Sequence, residues 1–397
     1  MRVLALAYAC EPDRGSEPGA GWSWARMIGG FAHVTVITRA NNREVIEAAL
    51  PSTPEREQLT FVYVDLPAWA RFWKRGGRGI HLYYVLWQIA AVRKARRLHR
   101  QRRFDIVWHL TMTNAWMGAL TPLIRAPFIY GPIGGGVRTP RRLLPSLGVR
   151  GFLRECTYAV LQIASRYVNP FVRMCSRRAS LILVQNAETR EWVLPRDRAK
   201  TVVFPNAVIP RAPVTHHRHG SKVALFAGQL VPGKGVALAV RAMVDLPEWT
   251  LVICGKGREE PRLKQIAAQL GVGERIHFAG WIPREDLATK MANDADVFLF
   301  PSLHDQSPWV LHEARTVGLP VVCIAGCGCD ALATVTAPSG WPRATARALA
   351  AAVREAETEP PPAPANFDID TKRASLAAIL TRAGFPIEMN LSSKRAS

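Results

Sequence analysis

Short apolar runs alternate with amphipathic stretches along the first half of the chain. RVLALAYA, HVTVITR, LTFVYVDL, FDIVWHLT and PFIYGPIGGG are continuous apolar runs of the kind expected for buried parallel strands. A glycine-rich loop and the helix-like stretch GWSWARMIGGF follow the first run, and NAWMGALTPLIR is interpreted as the helix between the last two. Strands that alternate with helices in this way predict a parallel α/β sheet covered on both faces.

The same pattern restarts after VVFPNAVIPRAPVTHHRHGS, which is rich in proline and polar residues and is interpreted as a linker. Five further strand-like runs (KVALFAG, WTLVICG, IHFAGW, DVFLFPS and LPVVCIA) alternate with helix-like stretches, and an Ala-rich helix and a proline-rich break precede a last helix, DTKRASLAAILTRAG. We predict two Rossmann-like doubly wound domains that face each other across a cleft, with ligands at the carboxyl ends of the strands. The predicted domains are 1–207 and 208–365, with 366–397 forming a C-terminal helix and tail that pack back on the first domain.

Composition agrees with a folded chain in a reducing compartment. The 397 residues are 48% hydrophobic, which is ample for packed cores. Seven scattered cysteines do not form a disulfide framework. We expect no bound metal, because two groups of potential ligands lack metal-site spacing or partners. No cofactor is expected either. We interpret Cys323, Cys327 and Cys329 as small buried hydrophobic residues, and His216, His217 and His219 as part of a solvated linker.

The net charge of +21 is concentrated in the first half, where residues 1–205 carry 31 Lys and Arg against 13 Asp and Glu. Residues 66–104 alone contain 11 basic residues and no acidic one, around the apolar GIHLYYVLWQIAAV. A basic amphipathic helix of this kind is typical of an anionic membrane surface, and the residues predicted to face it are Arg93, Lys94, Arg96 and Arg97. The alternative is a core helix with a solvated basic end.

Localisation follows from the same residues. The longest apolar run, residues 80–92, is too short to span a bilayer, and the N-terminus lacks the features of a signal peptide. The expected location is cytoplasmic and peripheral, on the inner face of the membrane. Nucleic acid is not an expected partner, because no nucleic-acid motif accompanies the charge.

Two strand-end loops of the second domain indicate phosphate binding. FAGQLVPGKG follows a strand and opens a helix, with Gly228 and Gly235 for tight turns and Lys234 near the helix start. It lacks the P-loop spacing. CGKG, with Gly255, is a similar turn after the next strand.

A third strand-end loop, PSLHDQSPWVLHEA, combines several features of an anion site. Ser307 is predicted to cap a helix that starts at Pro308, so that the backbone N–H groups of Trp309, Val310 and Leu311 are free for a ligand. Asp305 precedes the cap and is expected to face the cleft. Glu313 lies further into the helix, and the alternative for it is a residue that only stabilises the helix dipole.

These segments resemble a known family. FAGQLVPGKG, LVICGKG, IHFAGWIPREDL and ADVFLFPSLHDQSPWVLHEARTVGLPVV resemble the nucleotide-sugar half of retaining GT-B glycosyltransferases of family 4. YACEPDRGSEPGAGWSWA and FIYGPIGGG resemble a bacterial branch of that family. The resemblance implies the GT-B fold and transfer of a sugar from a nucleotide diphosphate sugar with retention at the anomeric carbon.

The resemblance also implies roles for individual residues. Glu313 matches the glutamate that holds the ribose hydroxyls, Asp305 the acid that contacts the donor sugar, and Lys234 the lysine that meets the diphosphate. Further donor contacts are implied for Gly19, Ala20 and Gly21 in an N-terminal glycine loop, for Gln229 and Gly255, for Trp281 and Ile282 where the base is read, and for Ser307, Pro308, Trp309 and Val310. Three positions depart from the family: Gln229 replaces an arginine, Asp305 a glutamate and Pro308 a glycine.

A histidine at the end of a first-domain strand completes the implied catalytic set. His109 in FDIVWHLT is predicted to reach the donor sugar, although relatives often place this histidine one residue later, where Leu110 stands. One residue of register turns a strand side chain to the other face, so a packed histidine is the alternative.

The expected function is that of a metal-independent, retaining hexosyltransferase. It would act on a glycan or lipid-linked acceptor in the synthesis of cell-envelope lipopolysaccharide or exopolysaccharide. The alternatives are a nucleotide-sugar epimerase or phosphorylase on the same fold, and a non-catalytic membrane-binding protein.

Overall fold

The computed structural model describes residues 1–70 and 79–387. The strands are β1 (Arg2–Leu6), β2 (His33–Arg39), β3 (Leu59–Val64), β4 (Ile106–His109), β5 (Phe128–Ile133), β6 (Ala179–Val184), β7 (Thr201–Val203), β8 (Val223–Ala227), β9 (Thr250–Cys254), β10 (Ile276–Gly280), β11 (Val297–Phe300), β12 (Val321–Ile324) and β13 (Val335–Ala337). The helices are α1 (Ser16–Gly29), α2 (Arg43–Ala49), α3 (Ile80–Arg102), α4 (Gly148–Val168), α5 (Pro170–Arg178), α6 (Ala187–Trp192), α7 (Val236–Ala242), α8 (Glu260–Gln269), α9 (Arg284–Asn293), α10 (Trp309–Val317), α11 (Pro342–Thr358) and α12 (Ile369–Arg382).

The first unit is built from Met1–Gly136, Gln162–Val208 and the segment that starts at Asp368. Its seven strands form one parallel sheet in the order β3-β2-β1-β4-β5-β6-β7. The central strands β4 and β5 are buried on both faces, which explains their continuous apolar sequences.

The C-terminal helix α12 packs on α1 within this unit. Arg373 Nε donates to the carbonyl of Met27 at 3.3 Å, and Lys372 Nζ donates to the carbonyl of Pro205 at 2.6 Å. The predicted return of the C-terminal helix to the first domain is therefore confirmed.

The second unit consists of Val137–Leu161 and Ile209–Phe367. Its six parallel strands have the order β10-β9-β8-β11-β12-β13. Residues 137–161 were predicted to belong to the first domain, but they are part of the second unit. Their Leu143 and Leu147 are buried in the core of that unit. Two parallel, doubly wound units confirm the predicted α/β architecture.

Some elements differ from the sequence prediction. NAWMGALTPLIR is not an α-helix: Gly118 has a φ of 71°, and only the short 3₁₀ turn Thr121–Leu123 forms, around Pro122. The predicted linker begins with strand β7. Three elements between residues 148 and 184, namely α4, α5 and β6, were not predicted.

Helix α3 uses its apolar face inside the first unit. Tyr84, Trp87, Ala91 and Ala95 are fully buried in a core cluster with β1 and β4. The predicted membrane-facing residues Arg93, Lys94, Arg96 and Arg97 are exposed, and the Arg96 guanidinium donates to the carbonyl of Leu123. The structure thus favours the alternative of a core helix with a solvated basic end. Residues 71–78, which carry four of the 11 basic residues of this segment, lie outside the described residues.

Across residues 1–70 and 79–387, no helix has both the length and the apolar character needed to cross a bilayer.

Candidate functional site

The second unit has a topological switch point between β8 and β11. The chain lays down β8, β9 and β10 in one direction across the sheet, and β11, β12 and β13 in the other. In open parallel sheets, the crevice at the carboxyl ends of two such strands is the usual ligand site. The loops that follow β8 and β11 are those that carry Lys234 and Asp305.

Lys234 and Asp305 form an ion pair at this switch point. Lys234 Nζ lies 2.5 Å from Asp305 Oδ2, and the ammonium also lies 5.3 Å from the centre of the Phe300 ring. Ser302 Oγ donates to the same carboxylate oxygen at 3.0 Å, and the backbone N–H of Gln306 donates to the other at 3.1 Å. The partly buried ammonium is thereby held at the strand ends, where a ligand phosphate would meet it.

The loop before α10 differs from the predicted cap. Pro308 occupies the N-cap position without a side-chain hydrogen bond, and the helix starts at Trp309. Ser307 adopts a φ of 89°, and its hydroxyl lies 3.5 Å from His312 Nε2. The prediction that Ser307 caps the helix is therefore wrong, because its left-handed backbone turns the hydroxyl toward His312.

The backbone groups of this helix start also differ from the prediction. The N–H of Leu311 donates to the carbonyl of Pro308 at 3.1 Å, so it is used within the first turn and is not free for a ligand. Non-glycine residues with positive φ, such as Ser307, are strained and concentrate at functional sites. This backbone therefore marks the loop as a candidate binding element.

Glu313 lies one turn into α10 beside Arg284, the first residue of α9. The two side chains form a salt bridge between Arg284 Nε and Glu313 Oε1, and the Arg284 guanidinium also lies 5.2 Å from the centre of the Trp309 ring. Burial raises the pKa of Glu313, and Arg284 opposes that rise. Arg284 was not predicted as a site residue. Its position shortly after Trp281 and Ile282 in WIPREDL could have indicated that it lies near the predicted base site.

Three strand-end loops are joined by backbone hydrogen bonds. The N–H of Gly228 donates to the carbonyl of Cys254 at 2.9 Å, and the N–H of Gly255 donates to the carbonyl of Gly280 at 2.6 Å. A Cβ on Gly255 would lie 1.9 Å from the carbonyl oxygen of Gly228. Glycine is thus required here by the close approach of two loops.

The remaining predicted donor-binding residues of this unit surround these loops. Gln229 is exposed after β8, and Trp281 is 67% exposed after β10. Ile282 is partly buried against the core and anchors the loop that carries Trp281. Pro308, Trp309 and Val310 are half-buried at the start of α10.

In the first unit, His109 is a packed side chain. It is buried at the end of β4, its Nε2 lies 2.7 Å from the Tyr84 hydroxyl, and its Nδ1 lies 2.7 Å from Thr121 Oγ1. Burial lowers the pKa of His109 to about 3, so the ring is neutral at physiological pH. This geometry favours the packed alternative, and a direct role in the reaction stays a prediction.

The predicted N-terminal glycine loop is helical. Gly19, Ala20 and Gly21 are buried in α1, which already begins at Ser16. A Cβ on Gly21 would lie 2.0 Å from the carbonyl oxygen of Ala9, so this glycine allows α1 to pack against the chain that leaves β1. The prediction of a loop was wrong because tertiary contact outweighs the poor helix propensity of glycine.

Glu17, in the first turn of α1, is a second residue that sequence reasoning missed. Its Oε2 accepts a hydrogen bond from the N–H of Met112 at 3.2 Å, beyond the end of β4. Burial raises the pKa of Glu17 to about 6, against an ordinary value of 4.5. The order of the first sheet reverses between β1 and β4, so Glu17 lies at the switch point of that unit.

We expect Glu17→Gln to stabilise the protein above pH 6. The native state holds the Glu17 proton more tightly than the unfolded chain does, so stability falls as the pH rises from 4.5 to 6. With about 1.4 kcal/mol for each pKa unit, the cost at pH 8 is at most about 2 kcal/mol. Urea unfolding should show this gain at pH 8 and none at pH 4.5. The exposed substitution Glu57→Gln is the control, and an equal gain at both pH values would contradict the prediction.

Potential metal ligands do not gather in the described residues, where no group of three or more His, Cys, Asp or Glu could hold an ion. Cys323, Cys327 and Cys329 are buried, in line with their interpretation as packed residues. His216 is also buried rather than solvated, and its ring lies 5.9 Å from that of His219.

The two units together define the GT-B fold. The chain superposes on Anabaena HepE in complex with UDP with a TM-score of 0.56 and 16% identity, over 96% of this chain and 100% of that chain. It superposes on the apo form of the lipopolysaccharide outer core galactosyltransferase WaaB with a TM-score of 0.62 and 13% identity, over 96% and 99% of the two chains. At such identities the likeness concerns the fold alone.

The second unit has the sequence features of a family. Residues 212–373 match the family model described as glycosyl transferases group 1. The lipopolysaccharide glucosyltransferase WaaG of Escherichia coli is 36% identical over 99 residues, which are 24% of this chain and 26% of that protein. An uncharacterized glycosyltransferase of Methanocaldococcus jannaschii is 36% identical over 104 residues, 25% and 26% of the two chains. Each of these alignments spans about a quarter of the relative's length, and the family match lies almost wholly in the second unit.

Proposed function

We propose that this protein is a retaining glycosyltransferase that uses a nucleotide diphosphate sugar. The observation that carries the proposal is the Lys234–Asp305 ion pair at the switch point of the second unit, with Glu313 at the start of the neighbouring helix α10. The family match of residues 212–373 and the GT-B fold support it. The supporting structures include HepE in complex with UDP and with UDP-glucose.

The residues of the second unit suit the parts of such a donor. Lys234 stabilises the negative charge that develops on the leaving diphosphate, and in the free protein Asp305 holds its ammonium at the strand ends. Glu313 accepts hydrogen bonds from the ribose hydroxyls. Asp305 contacts hydroxyls of the transferred sugar, while Trp281 and Ile282 flank the base.

The donor must compete with two ion pairs of the free protein. Lys234 is paired with Asp305, and Arg284 with Glu313. When a diphosphate approaches Lys234 and a ribose approaches Glu313, each ligand group replaces one protein partner. A bare nucleoside has no phosphate to bind Lys234, so it makes only the contact of its ribose with Glu313. We therefore expect the diphosphate to contribute most of the donor affinity.

The acceptor and setting are proposed from relatives. WaaG of Escherichia coli and LpsE of Rhizobium meliloti are named for lipopolysaccharide synthesis. We propose a glycan or lipid-linked acceptor in envelope or exopolysaccharide synthesis, reached at the cytoplasmic face of the membrane. Transfer is proposed to proceed with retention and without a metal ion.

A screen of UDP-, GDP-, ADP- and dTDP-sugars by thermal shift tests the proposal. A matching donor at about 100 times its Kd should stabilise the protein by about 2.7 kcal/mol, which raises Tm by several degrees. Hits are then assayed for release of the nucleoside diphosphate and for the anomeric configuration of the product by NMR. The free sugar and the nucleoside are the controls.

The outcomes separate the proposal from its alternatives. Stabilisation with slow hydrolysis to the retained sugar supports a retaining transferase. A nucleotide sugar that returns with one inverted hydroxyl indicates an epimerase, and turnover that requires inorganic phosphate or nucleoside diphosphate indicates a phosphorylase. If no donor changes Tm and none is turned over, the protein is not a transferase of this class.

A further inference from the structure

Helix α4 presents an apolar stripe to solvent. Its outward positions repeat every three or four residues and fall within roughly 100° of arc at 3.6 residues per turn. The members of this stripe, between 42% and 78% accessible, are Val149, Phe152, Leu153, Val160, Ile163 and Tyr167. Leu161 and Val168 are also exposed but lie outside the arc, on the side of Arg150. A helix of a soluble protein normally turns such a stripe toward a core.

The polar side of the same helix faces inward. Gln162 is buried, and its Nε2 donates to the carbonyl of Gly135 at 3.0 Å. Glu155 accepts from Thr139 Oγ1 at 2.9 Å and lies 3.3 Å from His304 Nδ1. These contacts fix the orientation of α4, so the stripe is not exposed by an incidental rotation of the helix.

Exposed arginines border the stripe on one side, where Arg150 and Arg154 lie at helical spacing. Arg166, on the other side, is half-buried and donates from Nη2 to the carbonyl of Glu191 at 3.3 Å. Residues 138–178 contain nine arginines, no lysine and a single acidic residue, Glu155, whose carboxylate is hydrogen-bonded toward the protein. The outer side of α4 is therefore apolar in its centre and cationic along the border that carries Arg150 and Arg154.

We propose that the stripe of α4 lies in the headgroup region of an anionic lipid bilayer, parallel to the membrane plane. Apolar side chains enter the boundary of the acyl region, and the bordering guanidinium groups bind lipid phosphates. The charge pattern favours lipid over a protein partner, because an anionic bilayer supplies phosphates beside an apolar layer, whereas a protein would need an apolar groove with an acidic rim matched to Arg150 and Arg154. This surface replaces α3, whose apolar face lies in the core.

The surface suits a peripheral protein that works on a lipid-linked acceptor, but it does not depend on the proposed reaction. Removal of the stripe leaves the switch-point residues of the second unit untouched. Hydrolysis of a nucleotide sugar in the absence of lipid therefore serves as an independent readout. Failure of membrane binding and failure of the transferase proposal are thus distinguishable.

Vesicle co-sedimentation tests the proposal with the full chain. The variant Leu153→Ser/Val160→Ser/Ile163→Ser removes apolar surface without changing charge, and it should weaken binding to equimolar phosphatidylglycerol and phosphatidylcholine at least ~tenfold. The matched control Val45→Ser/Leu82→Ser/Val244→Ser alters three other exposed apolar residues and should stay within about twofold of the wild type. Thermal unfolding confirms that both variants fold.

A second variant, Arg150→Gln/Arg154→Gln, tests the charge separately. It should weaken binding to the anionic vesicles by about tenfold or more and leave binding to pure phosphatidylcholine unchanged. Unchanged binding of the serine variant to anionic vesicles overturns the proposal. The proposal is also overturned if sedimentation velocity shows a dimer of the wild type and a monomer of the serine variant while both bind vesicles equally. The stripe would then be covered by a second copy of the chain.

Discussion

Replacement of Lys234 by methionine should lower kcat/KM for the nucleotide-sugar donor by about 10²–10³-fold, the usual loss when one preorganised charge donor is removed from a developing anion. Methionine keeps most of the side-chain volume and its contact with Phe300, so the change is chiefly one of charge. The leaving diphosphate loses the ammonium that the Lys234–Asp305 pair holds at the ends of β8 and β11. Steady-state kinetics with the donor found in the thermal-shift screen measure the effect.

The same substitution also leaves Asp305 without its cation in a partly buried position. A loss of stability is therefore expected and must be separated from the loss of catalysis. In the double variant Lys234→Met/Asp305→Asn the unpaired charge is gone, so its Tm should approach that of the wild type while its turnover stays low. Lys264→Met, which removes an exposed lysine paired with Glu260 at 2.7 Å, should change neither quantity. Turnover by Lys234→Met within about threefold of the wild type would exclude the proposed role.

Ten of the 13 described strands were predictable because each is a continuous apolar run, whereas β6, β7 and β13 were missed. Strands of a parallel sheet are buried on both faces, so their sequences are continuously apolar and do not alternate between apolar and polar residues. The β8, β9 and β11 loops could be placed at one sheet edge for the same reason. Lys234 and Asp305 are 71 residues apart in sequence, and only the strand order reveals that they pair.

Helices were harder to interpret, because spacing shows an apolar face but not what covers it. The apolar positions of α3 are covered by the core of the first unit, whereas those of α4 are exposed. Sequence alone favoured α3 for the membrane, since basic residues flank its apolar run on both sides. The decisive facts are the buried Trp87 of α3 and the inward Gln162 of α4, and both depend on tertiary structure.

Local backbone geometry explains the remaining differences. Serine is a preferred N-cap residue, but the φ of 89° at Ser307 and the extended backbone of Pro308 shift the helix start to Trp309. Glycine has a low helix propensity and is expected in a loop. Gly21 nevertheless lies inside α1, because its close contact with Ala9 leaves no room for a side chain. For Gly21, a neighbour outside the helix overrides the local preference, whereas for Ser307 the backbone of the loop itself does so.

Substitution of Gly255 by valine should have the largest effect on the stability of the second unit. Even the first carbon of a side chain would lie 1.9 Å from the carbonyl oxygen of Gly228. The clash is with backbone rather than with a mobile side chain, and the N–H groups of both glycines are hydrogen-bonded to backbone carbonyls. Relief requires the β9 loop to move away from the β8 loop. Such overpacking typically costs about 1–3 kcal/mol and can exceed that where backbone must shift.

The consequence for ligand binding follows from the same movement. The β8 loop carries Lys234 and the β9 loop is hydrogen-bonded to Gly280, next to Trp281, so displacement of Gly255 disturbs both the phosphate and the base side of the proposed donor site. We expect Gly255→Val to lower Tm by several degrees and to abolish the thermal shift with the donor. Gly273→Ala is the matched control, because a Cβ there meets no atom within 4 Å. Wild-type Tm together with an unchanged donor shift in Gly255→Val would mean that the two loops separate without cost, and that neither of them positions the donor.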